Sequence, residues 1–270
     1  MTDGEVRAIL HRLGVLQDMA ARGEIARIRE AHPNPLVRFG AKCFSQTDED
    51  GITLEIIRRL GIAKGTYAEF GVGNGMENNT LILAALGWEG YWVGNESLAY
   101  EHEEFKRFKY IRDWITLDNI AALNQAGSDF LGARPVDVAS LDLDGNDIHL
   151  VRRLLETGMR PRLFIVEYNA KFMPPVLFEF PYDPNHNWAG DDFFGASLAS
   201  FADLFEGFGY RLVCCNAATG ANAFFVRNDH MKAFKDVPKE IDKIWVGPMY
   251  HEWPYHGHRG SHRTVQTLFR

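Results

Sequence analysis

Residues 66–75 read TYAEFGVGNG, and this stretch decides the fold. Its first half is rich in residues that favour strands, which predicts a strand over Thr66–Phe70. Its second half places glycines at positions 71, 73 and 75, where the chain must turn sharply before a helix and can approach a ligand closely. A strand, a glycine-rich turn and a helix in this order form the nucleotide-binding unit of open α/β sheets. We therefore predict an α/β domain with a ligand at this turn.

The spacing of the glycines indicates which ligand. A dinucleotide fingerprint needs its third glycine at position 76, which is Met76 here. The spacing acidic-x-Gly-x-Gly-x-Gly is instead that of S-adenosylmethionine sites. We therefore assign Glu69, Gly71, Gly73 and Gly75 to that cofactor, and the alternative is a glycine-rich turn that binds nothing.

The rest of the chain predicts the sheet around this turn. Short β-rich runs alternate with helical stretches, which is the pattern of a parallel sheet with crossover helices. The predicted strands are Thr66–Phe70, Gly90–Val93, Tyr110–Ile115, Val136–Leu141, Leu163–Tyr168, Arg211–Cys215 and Ala223–Arg227, with a helix over Leu198–Glu206. The last two strands flank a turn-rich segment and suit an antiparallel hairpin. This is a Rossmann-like, seven-stranded, mostly parallel sheet with a terminal antiparallel hairpin, the topology expected of a class I methyltransferase.

Composition excludes several classes of protein. The 270 residues are 46% hydrophobic and 24% charged, which predicts one large α/β core. The net charge is −7 and no Lys/Arg run occurs, so the chain lacks the electrostatic footprint of a nucleic-acid binder. It also lacks a basic start followed by an apolar run, and lacks the roughly 20 apolar residues of a membrane span. We expect a cytoplasmic protein.

Two segments flank the predicted domain at 41–235. Residues 1–40 form an N-terminal helical extension, and residues 236–270 form a segment rich in histidine and aromatic residues. Apolar residues recur at helical spacing in the extension, and they are Val6, Ile9, Leu10, Leu13, Leu16, Met19, Ile25 and Ile28. This stripe either packs on the domain or forms a homodimer contact.

The second strand should end in an acidic residue that hydrogen-bonds the ribose hydroxyls of the cofactor. Glu96 is the candidate. It lies two or three residues beyond the usual position, because Gly94 and Asn95 follow the strand directly.

Acidic residues also end the fourth and fifth strands. Asp142, Asp144 and Asp147 follow the fourth strand, and Glu167 and Asn169 end the fifth. Oxygen ligands from adjacent strand ends suit Mg²⁺ or Mn²⁺, so all of these except Asp147 are predicted metal ligands. Helix capping is the alternative, and it explains Asp147 better than the others.

A long loop over 170–195 is the predicted substrate loop. Its aromatic residues, which offer flat surfaces to a sugar, are Phe172, Phe178, Tyr182, Trp188, Phe193 and Phe194, and its acids are Asp183, Asp191 and Asp192. The segment from Tyr250 to His262 holds four histidines and is either a lid over the site or an exposed tail. Candidate catalytic residues are Asp144, His149 and His256, with His186 a lesser candidate.

At these residues the chain resembles the FkbM-like family of S-adenosylmethionine-dependent methyltransferases. The matching stretches are Phe44–Gly51, the glycine motif with Glu77–Thr80, Asp142–Asp147, Glu167–Lys171, Gly195–Leu198 and Asn222–Arg227. The family carries Asp-x-Glu-Gly-x-Glu after the fourth strand, so Asp144 and Asp147 are conservative departures. The resemblance implies methyl transfer to a hydroxyl oxygen, with Asn79 and Asp142 at the cofactor. A looser likeness to catechol and macrolide-sugar O-methyltransferases implies Mg²⁺.

The sequence thus predicts an O-methyltransferase acting on a sugar, glycan or natural-product acceptor, with Mg²⁺ or Mn²⁺ as the candidate metal. Because the cofactor already activates the methyl group, the enzyme has to align an acceptor oxygen and remove its proton. Two alternatives stay open. A metal beside this fold can support a hydroxylation or another group transfer, and the fold can serve as a non-catalytic binding module.

Overall fold

The computed structural model describes residues 1–102 and 105–249. Its centre is a seven-stranded sheet. In chain order the strands are β1 (Thr66–Phe70), β2 (Glu89–Gly94), β3 (Phe108–Arg112), β4 (Val138–Leu141), β5 (Leu163–Glu167), β6 (Tyr210–Cys215) and β7 (Asn222–Arg227). Their order in the sheet is β3-β2-β1-β4-β5-β7-β6. The first five strands are parallel, and β7 runs antiparallel to both β5 and β6.

Helices flank the sheet and precede it. They are α1 (Asp3–Ala31), α2 (Glu49–Arg59), α3 (Leu81–Ala85), α4 (Ile120–Phe130), α5 (Asp147–Glu156) and α6 (Leu198–Gly207), with 3₁₀ helices at Pro35–Phe39, Asn228–Phe234 and Ile241–Lys243. α4 packs on β2 and β3, and α6 packs on β6. This is a Rossmann-like, seven-stranded, mostly parallel sheet with an antiparallel C-terminal hairpin, so the predicted fold is confirmed.

Most predicted strands differ from the observed ones by one or two residues at their ends, and β1 matches fully. The exception is β3, which was predicted as Tyr110–Ile115 but ends at Arg112. Residues 113–115 leave the sheet and line a cleft at its edge. The β-favouring side chains of Trp114 and Ile115 therefore line this wall of the cleft rather than extend the strand.

The interior of the sheet is apolar, and this fixes where polar groups can gather. All five residues of β1 are buried, and the large side chains of Tyr67, Phe70, Tyr91 and Trp92 lie in the core. The order of strands reverses between β1 and β4, so the loops after these strands diverge to opposite sides. In open α/β sheets, the crevice at this point is where ligands bind.

The longest helix, α1, precedes the sheet. It begins with a capping box, in which the Thr2 hydroxyl accepts from the Glu5 N–H and the Thr2 N–H donates to the Glu5 carboxylate. It ends at Ala31, before Pro33. None of the helices within the described part of the chain combines the length and the hydrophobicity that a membrane crossing requires.

Candidate functional site

A cleft of about 270 Å³ opens at the carboxyl ends of β1, β2, β3 and β4. Its walls come from the turns after these four strands and from the loop after β5. The residues that line it are Gly71–Gly73, Gly94–Glu96, Asp113–Ile115, Asp142–Asp144, Asn146, Leu150 and His186–Trp188. The crevice of the fold and the predicted cofactor motif therefore meet in one place.

The turn after β1 forms the floor of the cleft. The N–H groups of Gly71 and Val72 both donate to the Val93 carbonyl, which ties the turn to β2. Gly71 has φ +89°, and a Cβ there would lie 1.6 Å from the Asp142 carbonyl oxygen, so the fold requires glycine at this position. A Cβ on Gly73 would meet only the Glu96 carboxylate, at 3.9 Å. Gly73 therefore presents bare backbone to the cleft.

Glu69 and Gly75, also predicted to bind the cofactor, lie behind this surface. The Glu69 carboxylate accepts from the Asn79 N–H, the Thr80 N–H and the Thr80 hydroxyl, at 2.9, 2.9 and 2.6 Å. Burial raises the pKa of Glu69, and these hydrogen bonds oppose the rise. Gly75 packs beneath Leu98 and Tyr100. The two residues shape the turn, and neither lines the cleft.

Asn79 occupies a similar supporting position. Its side-chain amide donates to the Ser140 hydroxyl and to the Asn222 side-chain oxygen, at 3.2 and 3.3 Å. These contacts connect the turn after β1 with β4 and β7. The structure thus places Asn79 as a brace between three strands.

Glu96, the predicted ribose ligand, lines the cleft opposite Gly73. Two hydrogen bonds from β3 hold its backbone, because the Tyr110 hydroxyl donates to the Glu96 carbonyl at 2.6 Å and the Arg112 Nε donates to the Asn95 carbonyl at 3.0 Å. The late position of Glu96 in the sequence is therefore compatible with a place at the cleft.

Sequence reasoning missed the wall that follows β3. Asp113, Trp114 and Ile115 line the cleft, and the Trp114 indole donates to the Pro184 carbonyl at 2.8 Å. The sequence prediction extended the strand to Ile115 and so placed Asp113 inside it, whereas β3 ends at Arg112 and Asp113 is the first residue beyond its carboxyl end.

Three predicted metal ligands meet at the ends of β4 and β5. One carboxylate oxygen from each of Asp142, Asp144 and Glu167 lies within 4.8 Å of the others. Burial raises the pKa of both Asp142 and Glu167 well above the ordinary values, and the neighbouring negative charges of the cluster add to the rise. Asp144 has φ +51°, an uncommon conformation for a non-glycine residue.

Other buried carboxylates of this protein are compensated by donors. Asp147 accepts from the Leu143 and Gly145 N–H groups at 2.7 and 2.8 Å, and burial raises its pKa to about 7. Asp50 accepts from three successive N–H groups through Oδ2, although its Oδ1 meets no donor among the described residues. Glu167 has a fully buried Oε2 that meets no donor within residues 1–102 and 105–249, and two further carboxylates, Asp142 and Asp144, lie beside it. Asp147 is thus explained by the turn it holds rather than by the predicted capping of α5, whose N-cap residue is Asn146, and Glu167 is explained by neither.

Asn169, the fourth predicted metal ligand, is fully buried two residues beyond Glu167. Its amide N–H groups donate to the Asp192 and Phe194 carbonyls, at 3.0 and 3.1 Å. Its side-chain oxygen finds no donor in the described part of the chain. The amide is therefore oriented by the loop, and its acceptor oxygen is left available.

The histidines divide into three cases. His149 contacts the Phe180 carbonyl through Nε2 at 2.6 Å and packs against Tyr182, which favours an anchoring role over the predicted catalytic one. His186 lines the cleft, and its Nε2 lies 3.0 Å from the Asp144 carbonyl oxygen. His256 and the rest of the predicted lid, Tyr250–His262, lie outside the described residues.

The substrate loop is built differently from the prediction. Phe172, Phe178, Phe180 and Phe193 form a small buried core of their own, so three of the predicted sugar-binding aromatics are packed away from solvent. Phe194 is also buried. Trp188 is the predicted aromatic that lines the cleft. A loop of this length needs its own apolar core to hold a fixed shape, and its phenylalanines supply it.

The acids of the loop serve its own structure. Asp183 accepts from the Asn185 N–H, Asp191 accepts from the Phe193 N–H, and Asp192 pairs with Lys171. Each contact uses one oxygen of its carboxylate, so the role of these acids as acceptors for substrate hydroxyls stays a prediction.

Asn146 clamps the loop onto the turn after β4. Its amide donates to the Asp183 carbonyl at 2.7 Å, and its oxygen accepts from the Asp183 N–H at 3.1 Å. We expect Asn146→Ala to lower the free energy of unfolding by about 1–3 kcal/mol, because it leaves two backbone groups unpaired. Urea denaturation measures this, and limited proteolysis should show new cleavage near residue 185. Asn187→Ala, which removes one exposed bond to Asn185, is the control. Equal stability of both variants would contradict the clamp.

The charged side chains that line the cleft are predominantly acidic. Glu96, Asp113, Asp142 and Asp144 line it, and His186 is its single basic residue, since neither lysine nor arginine contributes to the lining that the structure describes. Such a cleft attracts cations and repels anions such as a pyrophosphate.

Comparisons with known proteins give a partial likeness. Neither a protein-family profile nor a curated protein matches the chain. Among solved structures, cofactor-bound Rv0187 from MTB aligns with a TM-score of 0.41 at 13% identity, covering 84% of this chain and 98% of that one. An O-methyltransferase family protein from Burkholderia thailandensis gives 0.40 at 12%, covering 65% and 55%. MycE methyltransferase, in complex with Mg, SAH and mycinamycin VI, gives 0.33 at 14%, covering 65% and 45%. Likeness at these values does not transfer a function.

Proposed function

We propose that this protein is an S-adenosylmethionine-dependent methyltransferase that acts on a hydroxyl group of a sugar, glycan or natural product. The observation that carries the proposal is the bare backbone of Gly73, which faces the Glu96 carboxylate across an acidic cleft at the strand-order reversal. A side chain at position 73 would fill this space, and glycine leaves it to a ligand. Glu96 is placed to accept hydrogen bonds from a ribose.

The electrostatics favour this cofactor over a dinucleotide. A dinucleotide fold holds a pyrophosphate at the N-terminus of the helix that follows the glycine turn. Here α3 begins only at Leu81, six residues after Gly75, and is five residues long. The cleft adds the carboxylates described above. An anionic pyrophosphate would be repelled, whereas a sulfonium cation would be attracted.

The residues of the cleft account for the steps that a methyl transfer leaves to the protein. Bound S-adenosylmethionine would supply an activated methyl group. Asp144 and His186 lie together on the β4 side and are the candidates to take the proton of the acceptor hydroxyl. Because the Asp144 carbonyl can only accept, His186 carries a proton on Nε2, and Nδ1 is the ring nitrogen left to take the proton of the acceptor. The loop clamped by Asn146 covers this side and restricts water.

A divalent cation is part of the proposal. The carboxylates of Asp142, Asp144 and Glu167, with the amide oxygen of Asn169, are the hard oxygen donors that Mg²⁺ and Mn²⁺ prefer. Their fit to a cation rests on the fully buried Glu167 Oε2 and Asn169 Oδ1, which lack donors in the described chain. Such a cation would lower the pKa of an acceptor hydroxyl and fix its position.

Calorimetry with purified protein tests the cofactor. We expect S-adenosylmethionine or S-adenosylhomocysteine to bind at micromolar concentrations, and NAD to give no heat. Binding of NAD with neither sulfur compound bound at millimolar concentration would overturn the proposal. Release of S-adenosylhomocysteine in the presence of a panel of glycosides, with a mass gain of one methyl group, would then identify the acceptor and separate methylation from hydroxylation.

A further inference from the structure

Two tryptophan side chains are exposed at the cleft. Trp114 and Trp188 are 42% and 40% exposed and both line it, whereas Trp88 and Trp92 are 1% exposed in the core. Burial of a large aromatic side chain removes much apolar surface from water, so an exposed one forgoes that stabilisation. Inside a concave site, such surface is what a ligand can cover. The two indoles therefore mark where a ligand can make apolar contact.

The Trp188 side chain is held by the substrate loop. Its indole Nε1 donates to the Asp191 carbonyl at 2.8 Å, and its ring centroid lies 5.8 Å from that of the buried Phe194. The indole N–H is the only hydrogen-bonding group of a tryptophan side chain. Because the loop itself uses that group, Trp188 presents carbon and π surface to the cleft.

Trp188 and the candidate base belong to one short segment of the cleft wall. His186, two residues earlier, lines the cleft, and its Nε2 lies 3.0 Å from the Asp144 carbonyl oxygen. Trp114 instead follows β3, and its Nε1 donates to the Pro184 carbonyl at 2.8 Å. Of the two exposed indoles, Trp188 is thus the one that shares a segment with the proposed proton acceptor.

The charges of the cleft restrict the kind of acceptor. A divalent cation held by Asp142, Asp144 and Glu167 would offset the charge at that end, and the carboxylates of Glu96 and Asp113 would remain. Neither lysine nor arginine lines the cleft within residues 1–102 and 105–249. An acceptor with its own carboxylate or phosphate would meet these acids without a basic side chain to offset them, so the cleft favours a neutral acceptor.

The acceptor groups of the cleft favour a ring with several hydroxyls over a flat aromatic compound. The carboxylates of Glu96, Asp113 and Asp144 and the amide of Asn187 line the same cleft as Trp188. Covering them with a compound that has a single hydroxyl would leave most of them unpaired, at a cost of about 1–3 kcal/mol for each buried group. A pyranose has an apolar C–H face and a rim of hydroxyls, so it can cover the indole and pair with these groups at once.

We propose that Trp188 stacks on the C–H face of the acceptor, and that this acceptor is a neutral pyranoside rather than a uronide or a sugar phosphate. The inference rests on the proposed methyl transfer, for which it names the acceptor class and the residue that holds it. Trp188 sets the affinity for the acceptor, while removal of the hydroxyl proton stays with Asp144 and His186.

Binding of simple methyl glycosides tests this inference without requiring turnover. The probes are the methyl pyranosides of glucose, galactose and mannose, with the matched uronides and 6-phosphates. In saturation-transfer NMR with S-adenosylhomocysteine present, we expect at least one neutral glycoside to bind through its ring C–H protons. Its uronide and 6-phosphate should bind at least about tenfold more weakly, because of the acidic lining.

Trp188→Leu and Trp188→Phe separate the aromatic ring from the rest of the side chain. Both variants lose the Nε1 bond to the Asp191 carbonyl, and only the phenylalanine keeps an aromatic face. We expect the leucine variant to bind the neutral glycoside about tenfold more weakly, and the phenylalanine variant to stay within about threefold of the wild type. Both should bind S-adenosylhomocysteine normally. A merely structural role of Trp188 would affect the two variants alike.

Phe39→Leu is the control, because it changes a 44% exposed aromatic side chain that does not line the cleft. It should alter neither affinity. Wild-type glycoside affinity in Trp188→Leu, an equal loss in Trp188→Phe, or tighter binding of a uronide or 6-phosphate would overturn the inference. So would a protein that binds S-adenosylhomocysteine and none of the neutral glycosides. If S-adenosylhomocysteine itself does not bind, the proposed function fails, and the same titration without it still decides whether Trp188 holds a sugar.

Discussion

A Gly73→Val variant is expected to bind S-adenosylmethionine at least about 100-fold more weakly than the wild type, with an unchanged melting temperature. The added side chain enters the cleft where the cofactor is proposed to lie, and an overpacked contact of about 3 kcal/mol corresponds to this loss. The fold tolerates the change because a Cβ at position 73 meets only the Glu96 carboxylate, at 3.9 Å. Calorimetry measures the affinity, and thermal denaturation measures the stability.

Two further glycines make this experiment specific. Gly207→Val adds the same side chain where no atom lies within 4 Å of the new Cβ, at the end of α6, and it should bind the cofactor normally. Gly71→Ala should fail to fold, because its Cβ would overlap the Asp142 carbonyl. If Gly73→Val keeps wild-type affinity, the cofactor does not occupy the turn and the proposed function loses its main support.

The sheet could be predicted because its signals are local. Each strand is a short apolar run beside a turn, and the hairpin is announced by the glycine, asparagine and alanine residues of 216–222. The glycine motif was located for the same reason. Within the motif, Gly71 and Gly73 line the cleft, whereas the Glu69 carboxylate accepts hydrogen bonds from Asn79 and Thr80 behind it. Whether a buried acid faces a ligand or a neighbouring turn depends on distances that sequence does not contain.

The substrate loop shows where prediction from sequence stops. Its aromatic residues suit either a sugar-binding surface or a small hydrophobic core within the loop. The amino-acid composition of the loop is the same in both cases. The outcome depends on contacts between residues far apart in the chain, such as that of Asn146 with Asp183 and that of Trp114 with Pro184. The apolar stripe of α1 is ambiguous in another way, because the periodicity of the sequence predicts an apolar face but not what covers it.

Glu167→Gln is expected to lower the affinity for Mn²⁺ at least tenfold and, at the same time, to stabilise the metal-free protein. The metal loses one of three anionic ligands, while the fold loses a buried negative charge beside Asp142. Relief of like-charge repulsion and desolvation should raise the free energy of unfolding by about 1–3 kcal/mol. The side-chain amide that the substitution introduces can also donate a hydrogen bond to the Asp142 carboxylate.

If Glu167 is a metal ligand, its replacement lowers the Mn²⁺ affinity and raises the free energy of unfolding of the metal-free protein. If it is a structural residue, its replacement does not change the two quantities in opposite directions. Calorimetry or electron paramagnetic resonance gives the Mn²⁺ affinity, and urea denaturation in chelator gives the stability. Asp142→Asn should behave like Glu167→Gln. Asp191→Asn, which keeps its bond from the Phe193 N–H and removes the same charge outside the cluster, should change neither quantity appreciably.

The alternative is a carboxyl pair that shares a proton, since burial holds the pKa of both Asp142 and Glu167 well above the ordinary range. A shared proton would be a structural hydrogen bond, and its removal would destabilise the protein without affecting Mn²⁺. A destabilised Glu167→Gln variant with wild-type Mn²⁺ affinity would therefore refute the metal site. The buried side-chain oxygen of Asn169, which lacks a donor in the described chain, is the reason to expect the first result, because a proton shared by Asp142 and Glu167 leaves that atom unsatisfied and a cation bound by all of these oxygens does not.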